Sequence, residues 1–140
     1  MINGTVTINI QRRNLRSEIS SMVSSGSSMV PDGWLRIVRQ MLEEINNSEL
    51  PVRIQSVRQG PRGHLVVSWG PRRAVGPEAS KAIKCAMESI IRRADEWGQG
   101  TCSLCGRPGE QAAYGVLLGN PADPTVRILC DDCVLNWRTR

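Results

Sequence analysis

Cys102-Ser103-Leu104-Cys105-Gly106 and Cys130-Asp131-Asp132-Cys133, with twenty-four residues between Cys105 and Cys130, are the two stretches on which the fold turns. A Cys-x-x-Cys turn brings two sulfurs onto one ion while its backbone N–H groups stabilise the thiolates. Two such turns supply the four ligands that zinc takes at tetrahedral corners, about 2.3 Å from each sulfur. Gly106, just after the second sulfur, permits the positive φ that such a turn commonly needs. A shell filled by four thiolates leaves no position for water or substrate, so Cys102, Cys105, Cys130 and Cys133 are expected to hold one structural Zn2+. Two other readings have the same ligands. A pair of redox Cys-x-x-Cys motifs would normally occur singly at a helix start. A rubredoxin-like iron site is disfavoured because no Gly follows Cys133 and aromatic residues are few.

The segment between the pairs fits a zinc module. Ala113 to Leu118 is apolar and strand-like, Asn120 to Pro124 is a turn, and Val126 to Leu129 is a second strand leading into Cys130. Cys133 to Trp137 has the look of a short helix's start. A knuckle, a hairpin and a second ligand pair at a helix start form the treble-clef arrangement. The Cys-x-x-Cys-Gly-Arg opening and the Leu-Cys-x-x-Cys-Val close resemble the N-terminal zinc-binding domain of the Clp-type unfoldase ATPase. They also resemble small uncharacterised bacterial and phage proteins in which a strand pair and helix precede a cysteine module. The resemblance spans roughly residues 52–137. It implies zinc and a protein-docking, dimerising surface. No ATPase motif is present, so unfoldase activity does not carry over.

Upstream, Gly76-Pro77-Glu78 suits a first helical turn, with Pro tolerated there and an acid near the positive helix end. Ala79, Ala82, Ile83, Ala86, Met87, Ile90, Ile91, Ala94 and Trp97 then recur at helical spacing, and Gly98 supplies a stop. Few residues separate this helix from Cys102, which predicts a rigid junction. Val52 to Val57 and His64 to Trp69 read as a β-hairpin around Gln59-Gly60-Pro61-Arg62-Gly63. Asp32 is a candidate N-cap for an amphipathic helix through Trp34, Ile37, Val38, Met41, Leu42 and Ile45. Thr5 to Ile10 alternates as a short strand would, and Gln11 to Val23 could be helical. Ser24 to Ser28 then reads as a flexible linker. The expected fold is α+β: a strand–helix arm with linker (1–30), a helix–hairpin–helix core (31–98) and a treble-clef zinc module (99–140).

Composition bounds function. The 140 residues include no Phe and one Tyr, so Ile, Leu, Val, Met and four Trp must build a modest core that a metal would staple. Trp34, Trp69, Trp97 and Trp137 fall on apolar faces and are read as core, as is Cys85. His64 is read as a surface residue of the hairpin, and Asp131 and Asp132 as solvent-facing. No run approaches a membrane span and no secretory leader is legible, so a cytoplasmic protein is expected, in the host cell if phage-encoded or a secreted effector. A single His excludes the ββα-metal nucleases and the His-x-Glu zinc deaminases. The net charge of +5 is uneven. Arg58, Arg62, Arg72, Arg73, Lys81, Lys84, Arg92 and Arg93 could line one basic face, although an arginine-rich exterior needs no function. The leading expectation is therefore a non-enzymatic zinc-binding adaptor or regulator acting on a protein partner, of phage, plasmid or effector type. The alternative is a nucleic-acid-binding protein using the basic face of residues 53–93. A homo-oligomer stays open, and no membrane partner is expected.

Overall fold

A computed structural model describes the backbone of residues 2–24, 29–113, 122 and 124–138. The described elements run α1 (Ile2–Met22), a 3-10 turn (Asp32–Trp34), α2 (Leu35–Asn47), β1 (Val52–Gln59), β2 (Leu65–Pro71), α3 (Pro77–Gln99), β3 (Glu110–Ala113), β4 (Val126–Leu129) and α4 (Asp131–Arg138). The chain is thus α+β, with helices over two small antiparallel sheets, β1-β2 and β3-β4.

The helical layer is centred on α2, against which both α1 and α3 pack. The apolar stripe of α2 is buried as its spacing demands: Leu35, Ile37, Val38, Met41, Leu42 and Ile45. From α3 it meets Ile83, Met87, Ile90 and Ala94, and from the hairpin Val52, Ile54, Val57 and Leu65. The hairpin's register passes from Ile54↔Trp69 to Ser56↔Ser68, so Gln55 bulges outward and accepts a hydrogen bond from the Ser68 hydroxyl.

Several sequence expectations need correction. Thr5 to Ile10 is not a strand but part of α1. A strand there would need an edge to pair with. The outer edge of β1 is instead met by Ser24, whose N–H donates to Ile54 O (2.8 Å), and Met29, whose N–H donates to Val57 O (3.1 Å). A helix satisfies its own backbone, and Leu15 and Ile19, four residues apart, give α1 a face against the core that Val23, just past its end, continues. Of the Ser-rich stretch, 25–28 lie outside the described residues. Asp32 does not cap α2, whose N-cap is Trp34 with no side-chain hydrogen bond. The Asp32 carboxylate accepts from Arg16 instead.

Gly98 does not end α3, which continues to Gln99. It lies buried against the Trp34 indole, where an added Cβ would approach ring atoms to 3.0–3.3 Å. Because Trp34 fills that position, Trp97 is left 47% exposed rather than in the core. Trp69 is partly buried against the core, and the side chain of Trp137 lies outside the described residues. Cys85 is exposed, contrary to the core assignment. It is two residues from buried Ile83, which on a helix is about the opposite face. In the C-terminal region the first strand is Glu110–Ala113. The expected strand beyond 113 lies outside the described residues, as does most of the expected turn at 120–124. β4 falls where its sequence places it.

Candidate metal centre

Each half of the site is built by a tight backbone device. In the first, Cys102 N–H donates to Arg107 O (2.6 Å) and Gly106 N–H donates to Cys102 O (3.0 Å), closing a knuckle around the sulfurs. Gly106 adopts φ +83°, the conformation that favours glycine. In the second, Cys130 directly follows β4 and Cys133 sits in the first turn of α4, joined by Val134 N–H donating to Cys130 O (3.1 Å). Ser103 N–H donates to Ile128 O (2.7 Å), which ties the knuckle to β4 and holds the halves together. Asp131 and Asp132 are exposed in the first turn of α4, where acids favour the helix dipole. Asp132 also pairs with Arg107 across the two halves at 2.9 Å.

The four sulfurs lie within 4.8 Å of one another, and Cys105 Sγ is 3.5 Å from Cys130 Sγ. A tetrahedron with 2.3 Å metal–sulfur bonds has edges of about 3.8 Å, whereas a disulfide needs about 2.05 Å. None of the five cysteines is in a disulfide. The cluster therefore suits a metal ion bound by four thiolates. Burial pushes the Cys102 thiol up, but hydrogen bonds from the backbone of Cys105, Cys130 and Leu104 outweigh it and lower the pKa to about 7. Burial raises Cys105 and Cys133, and neighbouring thiols raise Cys133 further. The Cys102 sulfur is thus prepared as thiolate by its backbone, while Cys105 and Cys133 must be deprotonated by a cation.

The knuckle is seated on the rest of the protein by residues that sequence reading passed over. Gly33 N–H donates to Ser103 O (2.7 Å), and Trp34 Nε1 donates to Thr101 O (2.9 Å). Gln59 Nε2 donates to Ser103 Oγ (2.9 Å) from the end of β1. A Cβ on Gly33 would lie 1.9 Å from Cys102 O, so only glycine fits. The Pro-Asp-Gly signal at 31–33 marked a turn, and nothing local said that its glycine meets a knuckle seventy residues away. Behind the hairpin, Val126 N–H donates to Pro61 O (2.7 Å). His64 is exposed, as expected, and its Nδ1 lies 3.0 Å from Asp95 Oδ2. Asp95 Oδ1 also accepts from Leu65 N–H (2.8 Å), fastening α3 to the hairpin.

The basic residues do not converge. All eight are exposed. Arg58 and Arg62 are at the turn end of the hairpin, whereas Arg72 and Arg73 follow β2 at its open end, roughly 20 Å away at about 3.3 Å per residue. On α3, Lys81, Lys84 and Arg92 share their face with Glu78, Glu88 and Glu96 at three- and four-residue spacings. Arg93 is paired with Glu44 of α2.

No family model matches this chain, and no curated protein or solved structure matches it. No described helix is long and apolar enough to cross a membrane.

Proposed function

We propose that this chain is a non-enzymatic adaptor or regulator whose C-terminal module is folded by one structural Zn2+ and contacts a protein partner. The carrying observation is the four-sulfur cluster. Four thiolates complete a tetrahedral shell, which favours a scaffold over a reaction centre. The same module leaves Leu104 42% and Leu135 58% exposed, one beside each ligand pair. Apolar groups held out on a rigid knuckle and helix are a contact surface in want of a partner. The β3–β4 pair between knuckle and α4 supports the treble-clef reading, and with it the resemblance to a docking module.

Nucleic acid is the weaker reading, because phosphate contacts need a continuous cationic surface and these cations are dispersed or interleaved with acids. Two measurements test the proposal. Elemental analysis of the purified protein should give one zinc per chain, and a stoichiometric iron content would overturn zinc. Affinity purification at native expression should recover a specific protein whose capture is lost with Leu104→Asp or Leu135→Asp. Capture of nothing specific, beside salt-sensitive micromolar binding of a labelled duplex, would replace the adaptor with a nucleic-acid binder.

A further inference from the structure

Between the metal knuckle and the helical layer lies a cleft of about 540 Å3, walled by α1, the starts of the 3-10 turn and α2, the end of α3 and the knuckle itself. Three guanidinium groups border it from three separate parts of the chain: Arg12, Arg36 and Arg107. The one carboxylate at its edge, Asp32, is taken chiefly by Arg16, and Arg12 is 3.9 Å from it. The Arg107 pair with Asp132 is 69% exposed on both sides, so water competes for it and a ligand can exchange it. Arg36 is exposed and has no ion pair among the described residues. The half-exposed indole of Trp97 and the partly buried Leu15 add an apolar strip.

A second, more voluminous groove of about 970 Å3 adjoins the cleft over α2, with Gln11, Leu15 and Arg36 common to both. The charge changes along it. Beyond Arg36 the groove carries Glu18, Glu43 and Glu44, with Arg39 bound to the first two and Arg93 to the third. A uniform polyanion would enter among arginines whose ion pairs are long, exposed or, for Arg36, absent among the described residues, and then meet carboxylates whose cations are already engaged. A peptide can confine its negative charge to one end.

We propose that this cleft docks an acidic peptide segment of a partner protein, its carboxylates held by Arg12, Arg36 and Arg107 and an adjacent apolar side chain laid on Trp97 and Leu15. Guanidinium forks match carboxylates in geometry, and a half-exposed indole is a favoured anchor in interfaces. This rests on the adaptor reading and names the chemistry of the partner.

A displayed library of random twelve-residue peptides, selected on the immobilised zinc-loaded full chain, tests it. The expected winners carry paired Asp or Glu next to an apolar residue. When synthesised, they should bind Arg36→Glu, Arg107→Glu and Trp97→Ala at least about tenfold more weakly than the parent. Their affinity for Arg92→Glu, on the far face of α3, should be unchanged. The altered side chains are exposed, so zinc content and melting temperature should stay at parental values. Where Arg36→Glu nonetheless lowers melting, Arg36→Gln replaces it. Winners without acidic bias, winners insensitive to the cleft variants, or no enrichment would overturn the cleft assignment. A twelve-nucleotide thymidine strand showing the same Arg36 dependence would overturn it in favour of nucleic acid. Winners that bind elsewhere sink the cleft and leave the adaptor standing. An empty native-expression capture sinks the adaptor on separate grounds.

Discussion

Gly33 shows how much of the architecture hangs on single backbone positions. Its Cα is in the space between Cys102 O and the Gly106 amide, which a Cβ would reach at 1.9 and 2.7 Å, all against backbone that cannot rotate away. Gly33→Ala should therefore prise the 3-10 turn from the knuckle, costing about 1–3 kcal/mol for the overlap alone, measured as a fall in melting temperature with metal content retained. Gly76→Ala, with nothing within 4 Å of the new Cβ, is the control and should change little. Gly98 poses a finer contest. Alanine would gain up to about 1 kcal/mol in helix propensity. Its methyl would press the ring of Trp34, which is wholly buried and hydrogen-bonded to Thr101 O, so the ring has no room to yield. Gly98→Ala is expected to lower stability, and unchanged or raised melting would show that the indole layer is softer than its packing implies.

Among the elements, the knuckle with α4 couples most directly to solution conditions. The backbone donors lower Cys102 to about 7 from an ordinary 9.0. Its thiolate therefore contributes to the metal-free fold above its unfolded value, and that contribution is lost as pH falls through about 7. Cys105 and Cys133 shift the other way and stay protonated without metal, so uptake of a metal ion near neutrality must expel their protons. Affinity measured against a competing chelator should fall by more than about tenfold for each pH unit below 7, since each proton released contributes one power of ten. A flat profile between pH 6 and 8 would mean that the thiolates are formed before metal arrives. These ligands were legible from sequence because local turns make the pairs and the spacing is self-contained. The hairpin and α3 were legible for the same reason, their periods of two and 3.6 being unbroken between Pro and Gly signals. What was not legible is what depends on the partner surface. Trp97 sits on the apolar stripe of α3, yet Trp34 takes the buried place beside it. The alternation of Val6, Ile8 and Ile10 reads as a strand until the free edge of β1 is found already in use.

At the scale of the whole molecule, the N-terminal helix and the metal module both bear on one core. Ile19 is fully buried and Val23 nearly so, in the same apolar cluster as α2 and the hairpin, and Ile128 of β4 reaches that cluster from the other end. Trp34 lies at the junction, its ring under α3 and its N–H on Thr101 at the threshold of the knuckle. Ile19→Ala should then cost about 2–5 kcal/mol, as deletion of a buried aliphatic side chain does where the site cannot collapse. Removing the metal that the four cysteines are proposed to hold should do more than release α4. Without the ion the knuckle loses the force that fixes Ser103 and Thr101, and the hydrogen bonds from Gly33, Trp34 and Gln59 lose their acceptors. Cys102→Ser with Cys130→Ser, or an excess of chelator, is expected to lower the melting of the entire chain in one transition and to red-shift Trp34 emission as the indole meets water. The assignment requires that both signals move together. Two separated transitions, the upper one at the parental temperature, would show instead that residues 31–98 hold without the metal and that the module is a passenger on their surface.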